Sequence, residues 1–393
     1  TNEKWKMKAL RLMIVAGEAS GDAHAAALVQ ALRETAPETQ FEFFGGTGAQ
    51  MRAAGVASIV DTDKLSILGL RKIAGALPKF WRAYRKLTAS AAEKEPDGVI
   101  LIDWPDFNLR LARWLHRRKF PVIYYVSPQL WAWRSYRAHS IRRDVDLLLS
   151  ILPFEKEWYA MRDMTHVEYV GHPLAGNVSA QFDRDEFCRR HKLDSSRPII
   201  ALLPGSRHQE LERILPPMLD AASVISKQRP DIQFVTVVAP ARNPVEAHEI
   251  IARHSDPTDS VSVIHHQTRE ALAAADAAAV ASGTVTLEAA LLGIPLVIVY
   301  KESFLNWHLL GSLINVDHFG LVNLIAGRRV ATELMQNDLN GARLAEELLS
   351  LLEPARNRAA RTALHEVTEK LGEGGASKRA AEQILKFLES PRS

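Results

Sequence analysis

The sequence predicts an α/β protein of two Rossmann-like halves, each a doubly wound parallel sheet, facing a cleft. Three observations carry this expectation. Short β-branched runs alternate with longer amphipathic stretches, the pattern of a parallel sheet covered by helices on both faces. The alternation starts a second time after Gly171-His172-Pro173. The chain has 393 residues, too many for one ordinary α/β domain and suited to two of roughly 150–200 residues each.

The elements follow in order. Leu10–Ala16 reads as a buried strand and Ser20–Thr35 as the helix after it. Phe41–Phe44, Val99–Ile102 and Val122–Val126 continue the first sheet. In the second series Ile199–Leu203 is a strand, residues 209–227 a helix, and Phe234–Val238, Val261–Ile264, Ala277–Val280 and Leu296–Val299 further strands. Residues 173–197 are polar and charged and read as a linker, and beyond Leu339 the pattern is helical only. The expected division is 1–172, 173–345, and a helical tail 346–393 that returns to the first half.

Composition excludes several classes. With 49 basic and 46 acidic residues, net +3, the chain lacks the basic excess of a phosphate-driven nucleic-acid binder. The single cysteine, Cys188, forbids an internal disulfide and a Cys-rich metal site and fits a reducing cytosol. Thr1–Lys8 has no apolar signal-type core and reads as a short leader. The longest apolar run, Leu287–Tyr300, is broken by Glu288, Gly293 and Pro295, so no bilayer-spanning segment is expected.

Doubly wound halves bind ligands in the loops just past their strands. Gly17-Glu-Ala-Ser-Gly-Asp22 follows the first strand. Its glycines permit close approach and its helix start favours an anion, with Ser20 or Asp22 as cap; simple capping is the plainer reading. It is not G-x-G-x-x-G, which disfavours a nicotinamide cofactor. Asp103-Trp-Pro-Asp-Phe-Asn108 follows the strand GVILI. Asp103, first out of the strand, is the preferred general base because partial burial raises a carboxyl pKa; the plainer reading makes both Asp103 and Asp106 caps. Asp106 is expected to cap the next helix. His24, one turn into the first helix, is the alternative base. In Ser127–Arg134 the two tryptophans offer either a stacking wall or interior packing.

The second half carries Leu203-Pro-Gly-Ser-Arg207, where Gly205 allows close approach beside Ser206 and the Arg207 fork suits a diphosphate. It also carries Ala281-Ser-Gly-Thr-Val-Thr-Leu-Glu288. There Ser282, Gly283 and Thr284 open a helix toward phosphate, and Glu288, one turn on, can accept both hydroxyls of a ribose. A surface arginine and a capped helix with a solvated Glu are the alternatives. Asp61-Thr-Asp63, Asp144-Val-Asp146 and Asp183-Arg-Asp185 match a metal-nucleotide D-x-D pattern, but such triplets are common by chance, and no metal is expected.

Leu65–Leu87 is basic and apolar without one acidic residue. With Leu68, Arg71, Lys72, Phe80, Trp81 and Arg82 as its facing set, and a second basic cluster at Arg134, Arg137, Arg142 and Arg143, it is expected to lie on an anionic bilayer surface; the plainer reading is a helix with its apolar face in the core and its basic face solvated.

Taken together, GEASGD (17–22), DWPDFN (103–108), VSPQLWAWR (126–134), LPFEKEWY (152–159), GHPL (171–174), LPGSR (203–207), ASGTVTLEA (281–289) and LVNLIAGRRVATELMQ (321–336) resemble the lipid-A-disaccharide synthase family, glycosyltransferase family 19. The match runs in order over nearly the whole chain. Trp104 and Gln129 depart from the small residues the family often carries there. The resemblance implies the GT-B architecture, with an acceptor- and membrane-facing first half and a UDP-sugar-binding second half. It implies an inverting transfer without metal or cofactor, from UDP-2,3-diacylglucosamine to 2,3-diacylglucosamine 1-phosphate. Asp103, Arg207, Glu288 and, carried over from the family's asparagine, Asn323 are then the catalytic set. Glu18, Ser20, Asp22, Asp103 and Asp106 form the acceptor side. The implied location is the cytoplasmic face of the inner membrane, with no nucleic acid as partner; a homodimer is compatible. The alternatives are an enzyme like UDP-N-acetylglucosamine 2-epimerase, which would not need the basic stretch, and a non-catalytic nucleotide-sugar-binding protein.

Overall fold

A computed structural model of the chain describes residues 9–66, 73–240, 242–254, 261–302 and 317–390. It forms two compact units, one of Thr1–Pro173 with Glu373–Ser393 and one of Leu174–Gly372.

The first unit holds a parallel sheet of seven strands: β1 (Ala9–Ala16), β2 (Gln40–Thr47), β3 (Ala57–Asp61), β4 (Gly98–Ile102), β5 (Val122–Tyr125), β6 (Leu147–Ser150) and β7 (Val167–Tyr169). Their spatial order is β3-β2-β1-β4-β5-β6-β7. The order reverses between β1 and β4, the position where open α/β sheets bind ligands. Register pairs Ala16 with Ile102. Gly17 and Asp103 therefore leave neighbouring strands at the same level. β5 stops at Tyr125 because Val126 turns into the left-handed region at φ 63°.

The second unit holds six parallel strands: β8 (Ile199–Leu203), β9 (Gln233–Val238), β10 (Val261–His265), β11 (Ala277–Ala281), β12 (Leu296–Tyr300) and β13 (Thr332–Met335). Their order is β10-β9-β8-β11-β12-β13. Here the reversal lies between β8 and β11, and Val280 pairs with Leu203. The loops opening at Pro204 and Ser282 thus emerge side by side.

Both sheets are buried on two faces, so their central strands read as unbroken apolar runs. β4, β8 and β11 have every residue buried. β3, β6, β7 and β13 were not anticipated from sequence. They are only three to five residues long, and β3 and β13 are edge strands without continuous burial.

Two expectations need correction. The tail does not return as a block. Helix Gly341–Leu352 stays with the second unit because Leu344, Ala345, Leu348 and Leu351 fill the core beneath β8 and β11, and helix Pro354–Leu371 stays there too. Only helix Ala376–Glu389 joins the first unit, inserting Ala380, Ala381, Ile384 and Leu385 beneath β1. The linker 173–197 is partly helical. It contains helix Arg184–His191, capped by Asp183 and burying Phe187 and Cys188.

Candidate active-site loops at the two switch points

In the first unit the chain leaves β4 through a strained corner. Asp103 (φ 48°) and Trp104 (φ 51°) are consecutive left-handed residues, a conformation costing about 1–2 kcal/mol per non-glycine residue. Surrounding bonds hold it. The Tyr124 hydroxyl donates to the Asp103 carbonyl at 2.6 Å and Asn108 Nδ2 donates to the same oxygen at 2.8 Å. Trp104 stacks on Phe107 at 4.2 Å. Gly17 lies against the Trp104 indole so closely that any Cβ would enter the ring, which is why the first loop needs glycine there. The corner turns the Asp103 carboxyl into a partly buried place. Burial first, and the Glu18 carboxylate second, push its pKa up from 3.8 to about 6.

Burial lowers the His24 pKa, and burial followed by the charge of His24 lowers His172 to about 4. Behind the 126–134 loop, buried Glu155 accepts from Trp131 Nε1 at 3.1 Å and from Leu152 N at 3.2 Å. Burial pushes its carboxyl up to about 8. Trp131 is thus interior packing. Trp133 is half-buried, with the Arg134 guanidinium over its ring at 3.9 Å.

In the second unit a cavity of about 390 Å³ opens between the two loops and is lined by Gly205, Ser206, Arg207, Glu210, Pro240, Thr268, Ser282, Gly283, Thr284 and Glu288. All seven residues assigned from sequence to the nucleotide line it. Gly205 adopts φ 115°, and a side chain there would collide with Glu210. The Glu210 carboxylate closes a capping box. It accepts from Ser206 N at 2.8 Å, Arg207 N at 3.1 Å and Arg207 Nη1 at 3.0 Å. Arg207 keeps its side chain 81% exposed, free to reorient onto an anion. Across the cavity Glu288 accepts from Arg269 Nε at 3.0 Å, and Arg269 Nη1 donates to Asn177 O at 2.9 Å. Ser282 Oγ donates to Phe319 O at 3.2 Å. The helix that begins here, Val285–Leu291, has only seven residues. Local peptide N–H groups therefore matter more than a long-helix dipole.

Several assignments made from sequence are overturned. Asn323 is fully buried. Its Nδ2 donates to Ala331 O and Glu333 Oε1, both at 2.8 Å, and its Oδ1 accepts from Val330 N and Ala331 N. It has no capacity left for sugar or phosphate and acts as a brace. Glu333 in turn accepts from Phe319 N and Gly320 N, and so anchors the segment that receives Ser282. Asp22 is buried; its carboxylate accepts from Gly48 N, Gln50 N and Met51 N, fixing the start of helix Ala49–Ala53 instead of facing an acceptor. The first helix is entered at Glu18 with no side-chain cap from Ser20 or Asp22. Asp106 caps nothing either; it pairs with Arg134 and Arg137.

Within the basic stretch Phe80 packs inward against Trp104 and Phe107, leaving Trp81, 61% exposed, and exposed Arg82 on the surface. Leu68, Arg71 and Lys72 lie outside the described residues. The D-x-D triplets are structural. Asp61 and Asp63 hold Arg52, Asp144 pairs with Arg143, Asp146 accepts from Val122 N, and Asp183 caps a helix. Among the described residues no group of three or more His, Cys, Asp or Glu could hold a metal, and no helix is long and apolar enough to cross a membrane.

Sequence reasoning missed Glu210, Arg269 and Glu333. The R-x-x-E spacing at 207–210 was a legible capping signal. Arg269 stands 19 residues from Glu288 and gave none.

Solved structures share this fold across nearly the whole chain. S. aureus MnaA, solved with UDP, matches at TM-score 0.64 and 13% identity, covering 98% of this chain and 100% of that one. MurG of Acinetobacter baumannii matches at TM-score 0.57 and 16% identity, covering 96% and 99%. Two doubly wound parallel sheets make the GT-B fold, which these neighbours share. Sequence comparison goes further. The family model for lipid-A-disaccharide synthetase matches residues 12–387. Lipid-A-disaccharide synthase of Solibacter usitatus is 43% identical over 381 residues, 96% of this chain and 98% of that protein. The enzyme of the same name from Myxococcus xanthus is 41% identical over 379 residues, 96% and 97%. The chain belongs to the lipid-A-disaccharide synthase family; it is a glycosyltransferase of lipid A biosynthesis.

Proposed function

We propose that the chain transfers diacylglucosamine from UDP-2,3-diacylglucosamine to the 6-hydroxyl of 2,3-diacylglucosamine 1-phosphate, with inversion at the anomeric carbon. The observation that carries the reading is Asp103, a partly buried carboxyl with a pKa near 6 at the first unit's switch point. A base so tuned is ionised at neutral pH yet basic enough to accept a hydroxyl proton as attack proceeds. The acceptor oxygen bonds to C1 while the C1–phosphate oxygen bond breaks; the proton goes to Asp103 and the electron pair leaves with UDP. One such displacement turns an α-linked donor into a β-1,6-linked product.

The second unit holds the donor. Glu288, positioned by Arg269, accepts the ribose hydroxyls. Arg207 swings from Glu210 onto the diphosphate, and with the peptide N–H groups around Gly283 and Thr284 offsets the charge of departing UDP. These groups stand where other transferases use a metal, so turnover should survive chelation by EDTA. Exposed Trp81, Arg82, Arg85 and Lys86 support reversible docking on the cytoplasmic face of the inner membrane.

The test is turnover of the purified protein with labelled donor and acceptor. The expected products are a β-1,6-linked disaccharide 1-phosphate and UDP in equal amounts. Epimerisation of UDP-N-acetylglucosamine, or UDP release without disaccharide, would refute the assignment.

A further inference from the structure

The stretch after β5 brings two guanidinium groups to one carboxylate on the helix that follows β4. Arg134 Nη1 lies 3.3 Å and Arg137 Nη2 2.5 Å from the same oxygen, Oδ1 of Asp106. The exposures are unequal. The Asp106 side chain is 68% exposed, whereas those of Arg134 and Arg137 are only 32% and 20% exposed. Two partly sunken cations thus share one anion that stands in the solvent, leaving an excess positive charge. The Arg134 guanidinium lies over the Trp133 ring, 3.9 Å from its centroid, and its backbone is left-handed at φ 57°. Each guanidinium carries five N–H donors, more than a single carboxylate oxygen engages. Arg137 also acts electrostatically on the corner that holds Asp103. The Tyr124 hydroxyl, bonded to the Asp103 carbonyl at 2.6 Å, feels the charges of Asp103, Arg137 and Asp106 together.

We propose that Arg134 and Arg137 are the receptor for a phosphomonoester carried by the acceptor, and that Asp106 is its internal stand-in when no acceptor is bound. This rests on the reading that the first unit takes the acceptor and Asp103 its proton. Paired guanidiniums match the planar, multidentate demand of a phosphate far better than that of a lone carboxylate. A hexose carries its anomeric phosphate and its 6-hydroxyl at opposite ends of one ring. A base just past β4 and a phosphate receptor past the adjacent strand β5 suit such a ring. The pair then selects phosphorylated over unphosphorylated acceptor and sets which hydroxyl reaches Asp103.

The test compares kcat/KM for the phosphorylated acceptor and for the same acceptor lacking phosphate. Wild type is expected to favour the phosphorylated form. Arg137→Ala should lower kcat/KM for that form by about tenfold to a hundredfold, mostly through KM, and leave the unphosphorylated form nearly unchanged. Arg134→Ala should act in the same direction more weakly, and Arg137→Lys should restore part of the selectivity, since it keeps charge but loses the fork. Asp106→Asn should raise kcat/KM for the phosphorylated form a few-fold by removing the competitor. Equal losses on both acceptors, or a wild type that does not discriminate, would overturn the proposal. Flotation with phosphatidylglycerol vesicles separates a lipid headgroup from the acceptor as phosphate source. If Arg137→Ala abolished vesicle binding while acceptor selectivity persisted, the pair would serve lipid and the proposal would fall. If wild type glycosylated neither acceptor, the underlying function, not this receptor, would be what failed.

Discussion

The two units repeat one architecture and put opposite electrostatics at its switch point. In the first, the loops after β1 and β4 are tightly packed, with Gly17 against Trp104 and Trp104 against Phe107. Burial there works against charge and lifts Asp103 to about 6. In the second, the loops after β8 and β11 leave a cavity of about 390 Å³, and its charged groups stand in ion pairs, Arg207 with Glu210 and Glu288 with Arg269. The difference is one of task. A proton acceptor needs a pKa near the working pH, which desolvation supplies. A diphosphate site needs an accessible positive fork, which exposed Arg207 offers.

Substitutions can break this contrast. Asp103→Asn is expected to have the largest effect, lowering kcat by about 10³-fold while making the protein more stable. The sign follows from linkage. A carboxyl with a folded pKa above its unfolded value binds its proton more tightly when folded, so its contribution to stability is full below about 3.8 and is lost as pH rises through about 6. At pH 7 the ionised group destabilises the fold by up to about 3 kcal/mol, and the neutral amide relieves that. Thermal unfolding at pH 7 and pH 4 checks this: the variant's advantage in Tm should shrink at the lower pH. Arg207→Ala should follow, losing about 10²–10³-fold in kcat through weaker leaving-group stabilisation, with Tm little changed because the side chain is exposed. Near-full kcat would remove Arg207 from the chemistry.

Asn323→Ala sharpens the contrast from the other side. Removing a brace with four hydrogen bonds should cost about 2–4 kcal/mol of stability, read by urea titration. The folded fraction should keep kcat within about tenfold, since the residue acts on Ser282 only through Glu333 and Phe319. Smallest of all, Arg269→Ala should raise donor KM by about three- to tenfold and leave acceptor KM alone, because it removes an orienting bond to Glu288 and no charge on the ligand. A parallel rise in acceptor KM would show a wider structural role.

Much of this was legible because parallel strands buried on both faces announce themselves as apolar runs. Asp103 stands out as the first polar residue after GVILI, and Gly205 and Ser282–Thr284 follow runs of the same kind. What stayed hidden depends on contacts between distant segments. Nothing near Asn323 in the chain reveals that residues 330–333 fold back to occupy all its bonding positions. Asp22 looks like a cap for its own helix, yet it serves the one beginning at Ala49. Phe80 looks like a surface residue of a basic stretch until Trp104 and Phe107 are placed beneath it. β3 and β13 are edge strands, and their patterns are too short and too mixed to stand out from loops.

The central claim is that Asp103, set by burial, is the group that takes the acceptor proton. The most direct measurement is the pH dependence of kcat/KM for the acceptor between pH 4.5 and 8.5 in wild type and in His24→Ala. The account predicts a rise of about tenfold per pH unit at the acid end, levelling near pH 6, with the same break in both proteins. A flat profile, or a break that vanishes with His24, would contradict it.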